Sequence, residues 1–340
     1  MNMAVNILAI ETSCDESSVA VIQDGRVIRS NIISSQIEIH KKYGGVVPEI
    51  ASRKHLEALP FVVQEALSEA EADFKDIDGI GVAYGPGLVG ALLVGLSYAK
   101  AAAYAIEKPL IGVHHLEGHI HAGFLEYPDL AFPLVALVVS GGHTSLVYLP
   151  KRGAYELLGQ TRDDAAGEAF DKVARHLGLG YPGGPQIQQA ALQGNREKLV
   201  FPRAWLEKDS LDFSFSGLKS SVLNYLNQCK MKDEAYDIPD IAAGLQEAIG
   251  DVLATKAVVA AKKKKVPTIL LAGGVAANLR LREMLQEKAG QENINVLWPS
   301  PVLCTDNAAM IGCAAYYKYL RGEFSDLTLN AVPNLSLFTS

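Results

Sequence analysis

The sequence predicts an α/β protein built from two similar halves, with two lobes and a nucleotide cleft between them. Three observations point there. Residues 5–28, VNILAIETSCDESSVAVIQDGRVI, read as strand, small polar turn, strand, tight turn at Gln23-Asp24-Gly25, strand. Residues 133–158, PLVALVVSGGHTSLVYLPKRGAYELL, repeat that plan with a Ser-Gly-Gly-His-Thr turn between the first two strands. Residues 268–283, TILLAGGVAANLRLRE, read as a buried apolar strand that runs into Gly273-Gly274 and then a helix. At 340 residues the chain is also too long for one small core.

Each hairpin unit is followed by helical signals. In the first half, Pro48 opens PEIASRKHLEALPFVVQEALSEA, with proline at a helix's first turn. In the second, DDAAGEAFDKVARHLGL carries apolar residues at helical spacing and stops at Gly178. Two polar turns in matching places would face one cleft, and the backbone amides of Gly-rich turns can bind phosphate oxygens. Taken singly, each turn is only what Gly and Ser build in any loop. The glycines at 273–274 let a ligand approach the backbone at a helix's positive end. They form neither a P-loop nor a G-x-G-x-x-G fingerprint, because no lysine follows and the spacing differs. The glycines of AYGPGLVG at 83–90 are read as structural, serving helix packing.

Composition narrows the function classes. The start, MNMAVNILAIETS, has no basic segment followed by a long apolar one, so no secretory signal is expected. The longest apolar stretch, Leu88 to Ala99, falls short of the roughly 20 residues a membrane span requires and reads as a buried helix. Four scattered cysteines (Cys14, Cys229, Cys304, Cys313) fit no zinc ribbon or disulfide framework, and suit a cytoplasmic protein. A formal charge of −7 gives no global attraction to nucleic acid, so an RNA substrate requires a local basic patch or a basic partner. The densest basic run, KKKK at 262–265, reads as a solvated helix C-terminus complementing the dipole.

Four of the eight histidines lie in VHHLEGHIHAG, residues 113–123. His115 and His119 are four apart, share one helix face, and can grip a single ion. His114 lies about 100° from His115 around the axis and His121 about 160° from His119, so neither joins that face. A zincin peptidase places its glutamate directly after the first histidine. Here Glu117 comes two after His115, about 200° around, and points away from the ion. Two histidines need an oxygen donor from elsewhere. Asp306 in LCTDNAAMIG is the candidate, although an aspartate opening a helical run can also serve only as its cap. Two histidines and one carboxylate with open positions suit iron or zinc.

The motifs ETSCDES, HHLEGH, VVSGGHT, AGEAFDKVAR, YPGGP, DFSFSGLK, LAGGVAAN and CTDN, in this order, carry a family resemblance. Over residues 6–330 the chain resembles the universal tRNA N6-adenosine threonylcarbamoyltransferases, whose archaeal and eukaryotic members are the Kae-type proteins. The resemblance implies an actin-like fold of duplicated RNase H-like units. It places one lobe at 1–127 plus 304–340, carrying the metal ligands, and the other at 128–303, carrying most adenylate contacts. The implied metal ligands are His115, His119 and Asp306, for one divalent metal per subunit, usually iron, with zinc as the alternative. The implied adenylate-binding positions are Val138, Val139, Ser140, Gly141, Gly142, Asp171, Gly184 and Asn278. Each also has a plain structural alternative: an exposed carboxylate on an amphipathic helix for Asp171, a Pro-Gly-Gly turn for Gly184, helix N-terminal polarity for Asn278. Many relatives are acidic where this chain has Gln188, whose amide can still hydrogen-bond a hydroxyl. DFSFSGLK (212–219) alternates aromatics as a strand does, and Lys219 could meet phosphate, but its role is unassigned.

The implied reaction moves a threonylcarbamoyl group from threonylcarbamoyl-AMP to N6 of the adenosine 3′ of the anticodon, in tRNAs reading codons that begin with A. AMP leaves. Asp15 and Glu16 could accept or relay the proton, or only shape their loop, and no catalytic base is assigned. The implied partners are tRNA, a shorter metal-free paralogue of similar fold and a small P-loop ATPase, with a separate synthase making the adenylate and no membrane. The competing classes are a peptidase, against which Glu117 counts, and a kinase-like ATP hydrolase, for which no sugar site or partnered carboxylate is recognisable. A pure scaffold fits least.

Overall fold

The computed structural model describes residues 4–338 and divides into two compact units, Met1–Leu130 with Pro299–Ser340, and Ala131–Trp298. The first begins with strands β1 (Asn6–Glu11), β2 (Glu16–Gln23) and β3 (Val27–Ser35), the last two joined by a tight turn in which Asp24 and Gly25 take φ of 52° and 66°. Three residues, Asp24, Gly25 and Arg26, join the strands, with Arg26 N donating to Gln23 O at 3.1 Å, and the two left-handed positions fall on Asp and Gly, which tolerate that conformation. A short helix α1 (Ile37–His40) leads to α2 (Pro48–Glu69), where Pro48 occupies the first turn as expected. Then follow β4 (Gly79–Gly85), α3 (Val89–Ala105), β5 (Leu110–His114) and α4 (His115–Glu126).

The second unit holds β6 (Leu134–Val139), β7 (Thr144–Leu149), β8 (Glu156–Gln160), α5 (Ala166–His176), α6 (Gly183–Ala191), α7 (Ser216–Lys232), α8 (Ile238–Lys264), β9 (Thr268–Ala272), α9 (Leu279–Gly290) and β10 (Asn295–Leu297). The chain then returns to the first unit through α10 (Pro301–Cys304) and α11 (Ala308–Leu320).

The two sheets have one topology. Their strand orders are β3-β2-β1-β4-β5 and β10-β9-β6-β7-β8. In each, the first strand pairs antiparallel with the second and parallel with the fourth, and the outer hairpin carries a register shift, at Val21/Ile22 and at Leu146/Val147. The repeat read from the sequence is thus a repeat of topology. Strand β6 and, after Thr268, strand β9 are apolar, and both are buried throughout, as strands at the centre of a covered sheet are.

In the first unit, Leu8, Ile10, Val19, Val82, Leu59, Val63 and Leu96 join one face of the sheet to α2 and α3 in a buried core. Helix α11 covers the other face so closely that a Cβ at Gly81 would collide with Ala315, and one at Gly312 with Ile22. Helix α3 is not buried all round: Val89 and Leu93 are exposed while Leu92, Leu96 and Ala99 are not. Among the described residues no helix is long and apolar enough to cross a membrane.

Two further expectations change. Gly273-Gly274 do not run directly into a helix; a short 3-10 turn (Gly274–Ala277) intervenes before Asn278 caps α9. Gly273 takes φ of 89° and packs on Val139, where a Cβ would strike the backbone. DFSFSGLK is not a strand. Phe213 makes only an isolated bridge with Thr161, and α7 begins at Ser216. The segment is a clasp: Asp163 accepts from Phe215 N (2.8 Å), Ser216 N (3.2 Å), Ser214 Oγ (2.5 Å) and Ser216 Oγ (2.8 Å). Lys256, inside α8, donates to the carbonyl oxygens of Asp212 and Trp205. Burial works against the Asp163 charge, but these donors win and hold its pKa below the ordinary carboxylate value. A depressed pKa means the contribution is present at neutral pH and lost as acid titrates the folded-state carboxylate. Asp163→Ala is therefore expected to cost about 1–2 kcal/mol at pH 7, the usual range for a lost helix cap. Denaturant titration at pH 7 and at pH 3 measures it, and an equal cost at both would refute the charged-cap account.

Candidate metal centre and Gly-rich turns

In the first unit, the parallel strands β1, β4 and β5 deliver Glu11, Gly85 and His114 to one edge of the sheet, and β5 passes directly into α4. Residues at the carboxyl ends of parallel strands are where open α/β sheets place their ligands. His114 is the N-cap of α4, its Nδ1 accepting from Leu116 N at 3.1 Å while Nε2 donates to Leu335 O at 3.1 Å. Burial holds its pKa down at about 4. His121 turns elsewhere, its Nδ1 2.8 Å from Glu117 O. Glu117 is buried and pairs with Lys318 of α11 at 3.3 Å, so it faces away from the pair His115 and His119 as the helix geometry requires.

His115, His119 and Asp306 come together, each with a ligand atom within 4.8 Å of the others. Asp306 Oδ1 lies 3.5 Å from His115 Nε2 and 3.2 Å from His119 Nε2. The alternative role for Asp306 falls to its neighbour. Asn307 caps α11, accepting from Met310 N at 3.0 Å, which leaves the Asp306 carboxylate to the histidines. His119 is 0% exposed, and neither ring nitrogen has a hydrogen-bond partner; its approach to Asp306 is close but not aligned as a bond. A buried polar ring left so is costly unless something else satisfies it. Burial lowers the His115 pKa, but Asp306 and then Glu11 outweigh it and hold it at about 9. The field at this point favours a positive charge, and two imidazoles with one carboxylate are a fitting donor set for a divalent metal.

Sequence reasoning missed Glu11 and Ser13 as neighbours of this group. Glu11 Oε2 is 2.9 Å from His115 Nδ1, and Ser13 Oγ is 3.2 Å from the same atom. No local pattern signals a contact across some hundred residues. Asp15 is buried and Glu16 half-buried next to them. Burial, then Asp15 and Asp306, push the Glu16 carboxyl well above its ordinary value.

In the second unit, the parallel β6 and β9 end side by side. Val138 and Val139 close β6, and Ser140, Gly141 and Gly142 form the turn, with Ser140 N donating to His143 O at 2.8 Å. Gly167, in the first turn of α5, packs on Ser140 and Gly141 so tightly that a Cβ would collide. Asp171, one turn later, accepts from Gly183 N at 2.6 Å, which brings it beside Gly184. Asn278 is largely engaged: Oδ1 accepts from Leu281 N at 2.9 Å and Nδ2 donates to Gln246 at 3.0 Å. Gln188 joins this corner by accepting from Leu279 N at 2.7 Å. The sequence-predicted positions thus form one run of neighbours along the ends of β6 and β9. Cβ atoms built on Gly141, Gly142 and Gly184 meet nothing within 4 Å, so these three backbones border open space.

A family model described as TsaD, tRNA N6-adenosine threonylcarbamoyltransferase, matches residues 27–313. A tRNA N6-adenosine threonylcarbamoyltransferase of Clostridium kluyveri is 60% identical over 338 residues, covering 99% of each chain. One of Clostridium novyi is 58% identical over 338 residues, with the same coverage. Among solved structures, HypF of T. kodakarensis aligns with a TM-score of 0.64 at 16% identity, over 96% of this chain and 49% of that one. Component A of the (R)-2-hydroxyglutaryl-CoA dehydratase of Acidaminococcus fermentans aligns with a TM-score of 0.54 at 15% identity, over 93% and 99%. At such identities these structures share the fold alone, which is the actin-like one.

Proposed function

The chain belongs to the tRNA N6-adenosine threonylcarbamoyltransferase family, and from that membership we infer the particulars of the transfer it catalyses. The donor is threonylcarbamoyl-AMP, and the acceptor is N6 of the adenosine 3′ of the anticodon in tRNAs reading codons that begin with A. A new N–C bond forms at the carbamoyl carbon, its bond to the phosphate oxygen breaks, AMP leaves, and the amine gives up one proton. An aromatic amine is a weak nucleophile, so holding the two reactants in register and polarising the carbonyl count for more than a strong base.

The observation that carries the site reading is the His115–His119–Asp306 group, with the buried and unsatisfied ring of His119 at its centre. These three residues would hold one divalent ion, iron by family resemblance with zinc as the alternative. When bound, such an ion supplies Lewis acidity and an anchor for substrate oxygens. The protein's own residues keep the ring nitrogens and the carboxylate oxygen converged. Val138, Val139, Ser140, Gly141 and Gly142, with Asp171, Gly184 and Asn278, are the proposed adenylate contacts. Asp171 would accept from a ribose hydroxyl, while the exposed glycine backbones would let phosphate oxygens approach their amides. The shorter paralogue and the small P-loop ATPase are proposed partners.

The glycines give a clean test of the adenylate assignment. Gly142→Ala and Gly184→Ala put a methyl where no protein atom lies within 4 Å, so the fold should be unmoved. A nucleotide resting on that backbone would be displaced. AMP binding by calorimetry is expected to weaken by about tenfold or more, a loss of roughly 1.4 kcal/mol, with no change in thermal midpoint. Unchanged AMP affinity in both variants would remove these turns from the site.

A further inference from the structure

We propose that Glu11 is a positioning residue for the metal centre: its carboxylate fixes the tautomer and ring orientation of His115, leaving Nε2 as the donor. The inference rests on reading His115, His119 and Asp306 as metal ligands.

The two nitrogens of His115 are divided between two tasks. Nδ1 lies 2.9 Å from Glu11 Oε2, whereas Nε2 faces Asp306 at 3.5 Å. A carboxylate only accepts, so Nδ1 carries the hydrogen. Once a cation takes Nε2, the neutral ring must be the Nδ1–H tautomer, and Glu11 selects that tautomer in advance. Ligating histidines that donate their other N–H to a carboxylate gain basicity and a fixed ring plane.

Glu11 is itself buried and tied down. It is 0% exposed, ends β1, and its Oε1 accepts from Ser13 N at 2.5 Å. The turn that follows is clamped from 85–95. Thr12 donates to Ala91 O at 2.9 Å, and Leu88 N donates to Ser13 O at 2.8 Å. Gly87 and Gly95 let the chain come so near that a Cβ would collide with Ser13 and Thr12 respectively. Gly87, within AYGPGLVG, and Gly95 therefore serve the metal centre indirectly, by allowing the close packing that holds the turn after Glu11.

His119 has no equivalent support, since both of its ring nitrogens lack a hydrogen-bond partner. The two histidines are unequal: His115 is held at Nδ1 by Glu11 before metal arrives, whereas His119 has only its packing and the close approach of Asp306.

The test uses the full-length chain with Glu11→Gln and Glu11→Leu, and Zn2+ as the probe, measured in competition with a chromophoric chelator. Glu11→Leu should weaken Zn2+ by about 10–100-fold, the usual cost of losing such a partner. Glu11→Gln should retain part of the affinity, because its amide oxygen still accepts from Nδ1–H. In the metal-free protein held above about pH 9, where the His115 ring is neutral, 15N spectra of the histidine side chains should show His115 losing the Nδ1–H form in Glu11→Leu while His119 is unmoved. A purely structural role would not produce that selective change. Should Glu11→Leu fail to fold, the Glu11→Gln affinity and spectra carry the test. Wild-type Zn2+ affinity and an unchanged His115 tautomer in the variants would overturn the inference while leaving the metal reading intact. A wild-type chain that binds no Zn2+ would overturn the metal reading itself.

Discussion

Replacing His115 and His119 together with alanine is expected to abolish both bound metal and tRNA modification. The assay is nucleoside mass analysis of unmodified tRNA incubated with the chain, its proposed partners, threonine, bicarbonate and ATP. N6-threonylcarbamoyladenosine should accumulate with the intact chain and stay at background with the double variant. Electrophilic stabilisation by a bound ion is worth several kcal/mol, and each 1.36 kcal/mol is tenfold in rate, so the loss should reach at least about a hundredfold. Because two buried rings are removed, Asp306→Asn serves as the shape-preserving companion. It keeps the volume and withdraws the charged donor 3.2 Å from His119. Loss of metal with full transfer activity would make the ion structural. An intact chain that modifies no tRNA, despite active partners and a confirmed adenylate supply, would overturn the transfer reaction inferred above.

The second large effect is on stability. Lys318→Ala should destabilise the protein by roughly 3 kcal/mol, the scale of removing one partner from a buried pair. Lys318 meets Glu117 at 3.3 Å and donates to Gly112 O at 3.0 Å, and Glu117 has only 5% of its side chain exposed. Without Lys318, Glu117 would be a buried carboxylate missing that cation. For a unit of this size the midpoint should fall by about 6–12 °C. The pair replacement Glu117→Leu/Lys318→Met should recover much of it, since apolar residues of similar volume often substitute for such pairs without loss. Measured thermal midpoints decide this: a Lys318→Ala protein within about 1 °C of wild type would mean that the pair is solvated and contributes little. The same contact settles the glutamate of HHLEGH. A catalytic base must face the ion, and Glu117 faces a lysine on the opposite side of α4.

How much was legible in the sequence follows from the range of the forces involved. Strand–turn–strand patterns, Pro48 at a helix start and Gly178 at a helix end are local, and each appears where its own neighbours place it. The His115–His119 pair was equally legible, because a four-residue separation on a helix specifies a shared face without reference to the rest of the chain. Even the rejection of Glu117 needed only the helical period. DFSFSGLK stayed unassigned because its alternation resembles a strand, whereas Asp163 and Lys256 tie it down from other elements.

The sequence by itself therefore determined the repeated hairpin-and-helix plan, the histidine pair and the Gly-rich turns, all of which depend on residues within a few positions of one another. Only the tertiary structure decided which carboxylates meet the histidines. It gave the capping role to Asn307 and so left Asp306 for the pair, and it brought Glu11 across 104 residues to His115. Helical and strand periods are set by backbone geometry. The partner of a buried nitrogen is set by which strand ends beside which, and by how closely glycines let those ends approach.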